Sequence, residues 1–398
     1  MTTIRLDDRL LALRDQVREW GADFRALGLA LDRDPELIRE HFDLPAVRYL
    51  STMGIPPEYG NVPIPIAGNR FYGTLALERA IIMEELSCAD VGMLVASPGP
   101  LLAGVLIDLL ADEQQKDWFY GRMLESPLWT FFALTEPDRG SDAGALSTTV
   151  VPATGDKPAL LSGAKRYVGN AARAQLGVVF ARTSPGPLGI NAVLVESPSP
   201  GFHAEALETI GLRGARISAI TMQDVEIAPE RFLGRHLSPS RRGMWAFVQT
   251  FNLLRPGVAA IALGIARAAH EYVITHRSAL RRDERDRLDL LARRIDGARR
   301  LVHLAAAAVD ARTGDGYLAS AAKVRAAQLA HEATQEACTF FGAGARLEHP
   351  VLDKLVRDAR GMEFIEGTGN MQKLNLFQGL FTGKLDRDDP FRTAPLAV

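Results

Sequence analysis

Thr130-Phe131-Phe132-Ala133-Leu134-Thr135-Glu136-Pro137-Asp138-Arg139-Gly140-Ser141-Asp142 is where the character of the chain changes. An apolar run over 128–134 has strand composition. It ends in Glu-Pro-Asp-Arg-Gly-Ser, residue types that favour a tight turn whatever else they do. Before this point the pattern is helical: Leu6, Leu10, Leu13, Val17 and Trp20 recur at helical spacing. After it come short apolar or alternating runs at 146–151, 159–161, 176–181, 190–195 and 217–227, broken by Gly, Pro and Asp. No helical patterns alternate with them, so a doubly wound parallel sheet is excluded, and an antiparallel sheet or small barrel is expected.

Outward from that segment the flanks are helical. On the N-terminal side a buried helix is expected over 74–86. Asp112 precedes Glu113 as the N-cap of another helix. Residues 54–60 have turn composition. On the C-terminal side three long helices are expected over 247–273, 281–306 and 319–340, and short connections make them an antiparallel bundle. The division is therefore 1–126 helical, 127–236 β, 237–384 bundle, and a polar, Pro-containing tail at 385–398.

A second stretch carries chemistry: Arg357-Asp358-Ala359-Arg360-Gly361-Met362-Glu363-Phe364-Ile365-Glu366-Gly367-Thr368. Glu366 stands between an apolar pair and a Gly-Thr step. Apolar surroundings raise a carboxylate pKa toward neutrality, where it can take a proton from carbon. Gly367 lets the backbone approach a flat ligand closely. The same residues would also suit the end of a buried helix whose carboxylate is paired.

The 398 residues carry 46 Lys and Arg against 48 Asp and Glu, a net charge of -2. No basic excess invites nucleic acid or a membrane surface. Charges at the N-terminus stand where a secretory leader needs an apolar run, and no uninterrupted apolar segment of membrane-spanning length is evident. Cys88 and Cys338 lack metal-ligand spacing and are expected as reduced thiols in a cytoplasmic protein. The eight histidines are scattered, and there is no Gly-x-Ser-x-Gly elbow, which excludes metal and serine hydrolases.

The two quoted stretches together resemble the acyl-CoA dehydrogenase family of flavoproteins. So do the turn at 54–60, Leu212-Arg213-Gly214 followed by Asp224-Val225-Glu226-Ile227, Arg255-Pro256 and Gly342, all in the family's order. The resemblance spans nearly the whole chain. It implies an α+β fold: a helical N-terminal domain, an antiparallel β middle domain and a C-terminal four-helix bundle. It also implies bound FAD and α,β-dehydrogenation of an acyl thioester. Glu366 would remove the α-proton while the β-hydrogen leaves as hydride to the flavin.

Carried over by position, the resemblance puts Phe132, Leu134 and Thr135 at the flavin and Ser141 at pyrophosphate or thioester. Tyr167 would stack near the flavin. Gly169 falls where many relatives have a hydroxyl, leaving only a backbone contact. Thr368 and Asn370 follow the base as cofactor contacts, and Gly367, Asn252 and Arg255 fall on the substrate side. Gly342 belongs to a turn that approaches the FAD of a neighbouring subunit. Arg277 is the surviving candidate for a pyrophosphate contact, with Arg281 or Arg282 as substitutes. Leu254 occupies the position where some relatives carry the base, which leaves that role to Glu366, and Glu363 is expected to face solvent or an arginine. Asn252 replaces an Asp near the pantetheine, so CoA and acyl carrier protein are both open as carriers. Ser97-Pro98-Gly99-Pro100 is placed near the acyl pocket.

Electron-transfer flavoprotein or oxygen would accept the electrons, and the expected assembly is a homo-oligomer, dimer or tetramer. The alternatives are a flavin-dependent monooxygenase on the same scaffold and an inactive flavin-fold protein acting through its helical surface.

Overall fold

The computed structural model describes residues 4–153, 158–311 and 316–383. Five helices come first: α1 (Asp8–Arg33), α2 (Pro45–Thr52), α3 (Ala76–Ala96), α4 (Leu101–Leu110) and α5 (Glu113–Glu125). Strands β1 (Thr130–Ala133), β2 (Thr149–Val151), β3 (Ala159–Val168), β4 (Leu176–Arg182), β5 (Ile190–Glu196), β6 (Phe202–Ala206) and β7 (Ser218–Ile227) follow. Six helices complete the chain: α6 (Met244–His276), α7 (Arg282–Ala311), α8 (Tyr317–Thr339), α9 (Ala345–Glu348), α10 (Pro350–Gly361) and α11 (Gly369–Phe381). The tail expected at 385–398 lies outside the described residues.

Local chemistry sets the start of α5 as the sequence predicts. Asp112 caps α5 in a reciprocal box with Gln115. The start of α3 is capped from far away, the amides of Ala76 and Leu77 donating to the Asp310 carboxylate of α7 at 2.6 and 3.0 Å. That contact fixes the N-terminal helices to the bundle. Their cores are continuous as well, with Leu86 and Met93 of α3 in one cluster with Ala259 and Leu263 of α6. Small residues permit the approach: a Cβ on Gly264 would stand 2.5 Å from the Glu84 carbonyl oxygen of α3.

By length and apolarity α6 would pass for a membrane-crossing helix, against the sequence expectation. Most of its side chains are instead buried against α3 and α8, and it carries Arg255 and Arg267 in that core. Pro-rich sequence separates α3 from α4. Gly99 there is bound to β1, donating to the Leu128 carbonyl at 2.9 Å and accepting from the Thr130 hydroxyl.

The β layer is a seven-stranded sheet in the order β1-β4-β2-β3-β7-β6, with β5 also paired to β4. It is mixed, which corrects the expectation of a purely antiparallel arrangement. β1 runs parallel to β4, Thr130 opposite Leu176 and Ala133 opposite Val179, and β2 meets β4 in parallel at Thr149 and Arg182. The chain reverses between β2 and β3 and again between β3 and β4, so β4 returns in the direction of β1. β3 continues to Val168 beyond its apolar start because Lys165 is buried by a carboxylate partner. β6 has no apolar run; it alternates half-buried and exposed residues on the edge of the sheet.

Candidate active site

Glu366 lies in the short connection between α10 and α11. Its φ is +52°, an uncommon region for a residue with a Cβ, and Gly367 follows at +96°. Such a backbone persists only where its surroundings hold it. Here Gln372 of α11 donates its amide to the Glu366 carbonyl at 3.1 Å, and Ser320 of α8 fixes that amide through its oxygen at 2.8 Å. The Lys323 ammonium of α8 donates to the carbonyls of Glu363 and Gly367 at 2.8 and 2.7 Å. Thr368 caps α11 through its hydroxyl. Glu363 accepts from the Gly369 amide at 2.8 Å. That replaces the expected solvent or arginine partner, because a carboxylate is best used at the start of a helix.

The carboxylate of Glu366 is treated differently from its backbone. Its Oε2 is buried without a hydrogen-bond partner. Burial pushes the group up to about 8, against the pull of three cations, Arg255, Lys323 and Arg79. None of the three forms a direct ion pair with it among the described residues. Arg255 donates to the Asn252 amide oxygen at 2.6 Å and to the Glu366 carbonyl at 3.5 Å. Arg79 donates to the carbonyls of Gly73, Thr74 and Leu253. The neighbouring Leu254 is buried and apolar, so the carboxylate in this place comes from position 366.

The signature stretch reaches the same place through aromatic contacts. The half-buried Phe132 of β1 lies 5.6 Å from Phe251 of α6, and the Arg255 guanidinium sits over Phe251 at 5.7 Å. Leu134 is buried and Thr135 half-buried at the end of β1. The turn after them is fixed from inside: Glu136 accepts from the amides and hydroxyls of Ser147 and Thr148 and pairs with Lys165 at 3.0 Å. Burial would raise Glu136, but those donors outweigh it and hold the carboxyl down at about 2. Lys165 also donates to the Leu134 carbonyl at 3.0 Å. Ser141 is exposed on the turn itself.

Tyr167 has φ +61° and is 63 % exposed. A Cβ on Gly169 would meet nothing nearer than the Ala215 carbonyl oxygen at 4.0 Å. The N–H of Glu366 finds no acceptor among the described residues. A flat aromatic cofactor fits these features. They are an exposed tyrosine at the end of β3, open space over a glycine, and a buried carboxylate oxygen and an N–H without partners.

The sequence-derived cofactor residues fall into two groups. Phe132 connects through Phe251 to Arg255, and Arg255 to Asn252 and the Glu366 carbonyl, while Leu134 and Thr135 follow Phe132 along the chain and Gly367 and Thr368 adjoin Glu366 in sequence; Asn370 is exposed on the first turn of α11. Arg277 and Gly342 belong elsewhere. Arg277 donates to the Phe340 carbonyl at 2.8 Å, which brings it to the Gly342 turn, and pairs with Glu284 at 3.2 Å. Arg281 pairs with Asp283 and Glu284. Along α6, Arg277 lies about 33 Å from Arg255 at 1.5 Å per residue. Lys323, Gln372, Arg79 and Phe251 were not legible as site residues. A lone lysine inside the alanine-rich 319–327 was the available signal for the first.

Comparison with known proteins agrees with this layout. Residues 131–225 match the family model of the acyl-CoA dehydrogenase middle domain, and residues 241–381 match that of its C-terminal domain. The mitochondrial short-chain specific acyl-CoA dehydrogenase of Bos taurus is 32% identical over 351 residues, covering 84% of this chain and 82% of the relative. A 3-(aryl)acrylate reductase of Clostridium sporogenes is 30% identical, covering 82% of this chain and 86% of its own. The butyryl-CoA dehydrogenase structure from Megasphaera elsdenii superposes with a TM-score of 0.81 at 26% identity, covering 96% of this chain and 100% of that one.

Proposed function

The chain belongs to the acyl-CoA dehydrogenase family, an FAD-dependent oxidoreductase, and we propose that it removes the α and β hydrogens of an acyl thioester with Glu366 as the base. Bound FAD supplies the hydride acceptor. The observation that carries the proposal is the half-buried Glu366, its Oε2 buried without a partner and its carboxyl raised to about 8. A carboxylate of that basicity takes a proton from a weak carbon acid far better than an ordinary surface glutamate.

The chain's own groups have distinct tasks in this scheme. Oε2 of Glu366 receives the α-proton. The free N–H of Glu366 donates to the thioester oxygen, where charge grows as the proton leaves. Arg255 holds Asn252 and reaches the Glu366 carbonyl, which steadies the backbone that carries the base. Phe132 and Phe251 close the space between β1 and α6 and keep water from it. Phe132, Leu134, Thr135, Ser141, Tyr167, Thr368 and Asn370 hold the cofactor in this proposal, with backbone alone at Gly169. Arg277 and Gly342, at the far end of α6, serve the cofactor of a second copy.

The thioester is carried on a phosphopantetheine arm, of CoA or of a carrier protein, since both present the same reactive end. Electron-transfer flavoprotein is the proposed acceptor. Anaerobic titration of the purified yellow protein with a panel of acyl thioesters tests the assignment. Bleaching of the flavin by at least one member is expected; a flavin that no thioester reduces would refute it.

A further inference from the structure

We infer that Lys323 is a positioning residue for the base: its ammonium clamps the backbone on both sides of Glu366 and its charge sets how readily that carboxylate ionises. The inference rests on the role given to Glu366 above.

The geometry is a bracket. Lys323 reaches from the second turn of α8 and donates to the carbonyl of Glu363 at 2.8 Å and to that of Gly367 at 2.7 Å. Those carbonyls lie three residues before Glu366 and one after it. Between them the chain passes through the left-handed backbone of Glu366 and Gly367. A strained segment of this kind relaxes unless tied at both ends. Gln372 supplies a third tie, to the Glu366 carbonyl.

A neutral donor would suffice if the clamp were only structural, as Gln372 demonstrates in the same segment. Lys323 is instead a cation that is 1 % exposed and has no ion-pair partner among the described residues. A buried charge bonded only to neutral carbonyls is unfavourable, and burial lowers the ammonium to about 8. The anions that face it are Glu363, whose side chain is committed to the Gly369 amide, and Glu366, whose Oε2 is free. The other charges facing Glu366 are Arg255 from α6 and Arg79 from α3. Arg255 opposes Lys323 as well. Arg255 also touches both, through a long 3.5 Å bond to the Glu366 carbonyl, but among the described residues Lys323 is the cation that ties the backbone on both sides of the base and also acts on its charge.

Three variants separate the two effects. Lys323→Gln keeps an amide donor and loses the charge; Lys323→Arg keeps the charge; Lys323→Met loses both. The first measurement is the pH profile of anaerobic flavin reduction by a thioester that reduces the wild type. Removing a cation raises the pKa of the nearby carboxylate, so the acid limb of the Lys323→Gln profile should move to higher pH by about one unit. Lys323→Arg should bring it back toward the wild type. An unmoved limb in Lys323→Gln, with only lower melting temperature, would reduce Lys323 to a structural residue and overturn the inference.

The second measurement does not need turnover. The melting temperatures of the holoprotein, Lys323→Gln, Glu366→Gln and the double variant between pH 6 and 9 form a double-mutant cycle. A coupling that rises toward pH 8, where the carboxylate ionises while the ammonium still holds its proton, and falls again above it supports the inference, and a coupling flat across the range refutes it. This cycle remains readable even if no thioester reduces the wild type, a result that would sink the proposed function alone.

Discussion

At the scale of the residue, the fate of one carboxylate decides the chemistry. Glu366 is held with Oε2 buried and unpartnered, and its pKa rises from 4.5 to about 8. Between those values the unfolded chain has lost the proton and the folded one keeps it. Folding takes up a proton there, so stability falls as pH rises from 4.5 and levels off above about 8. Glu366→Gln should therefore stabilise the protein at pH 7, by up to about 3 kcal/mol, and the gain should vanish near pH 4.5. Thermal melts of both proteins across that range check it. A glutamine that melts lower than the wild type at pH 7 would show that the carboxylate is stabilised in the fold. Glu366 could be singled out because its motif is contiguous. Lys323, Phe251 and Arg79 were not, since each reaches the site from a different helix, and one sequence does not say which faces of those helices meet.

At the scale of the element, the turn after β1 is fixed by a carboxylate that the sequence presents only as turn chemistry. Glu136 gathers the hydroxyls and amides of Ser147 and Thr148 and the ammonium of Lys165. Its pKa falls from 4.5 to about 2. That stability is present above pH 4.5 and is lost as pH falls toward about 2. Glu136→Gln leaves Lys165 buried without its anion. We predict a loss of about 3 kcal/mol or more and weaker retention of flavin, read by denaturant unfolding and by flavin absorbance after gel filtration. Unchanged unfolding would mean that Lys165 finds another partner.

The same element shows why strands were read unevenly. β4 and β5 are continuous apolar runs and were legible to within a residue. The second half of β3 was hidden by Gly163, Lys165 and Arg166, and β6 by its half-exposed alternation. The parallel pairing of β1 with β4 could not be read, because pairing depends on where two chain reversals return the strand. The helices were easier: α6, α7 and α8 keep their apolar period over many turns, and their ends moved by only a few residues.

At the scale of the whole molecule, two features lie away from Glu366. Arg277 and Gly342 cluster at the end of α6 remote from Glu366. α11 presents Leu374, Phe377 and Phe381 to solvent at 60, 67 and 82 % exposure, a contiguous apolar face on one side of a helix. We propose that a second copy of the chain covers this face. Phe377→Glu should then shift the protein to a smaller species in sedimentation or light scattering and weaken FAD retention. A variant that sediments with the wild type would leave this face outside the assembly. Order along the chain, helical then β then helical, was evident from the sequence. That α3 and α6 share one core was not, because the remote capping of α3 by Asp310 and the contact at Gly264 appear only in three dimensions.

One comparison bears most directly on the base. The reduction of flavin by an acyl thioester should be followed anaerobically in the wild type and in Glu366→Gln across pH. The wild type should bleach with a rate that rises with pH up to about 8. The variant should keep its yellow cofactor and slow by about 10³-fold or more. Bleaching of Glu366→Gln at a rate near that of the wild type would contradict the assignment.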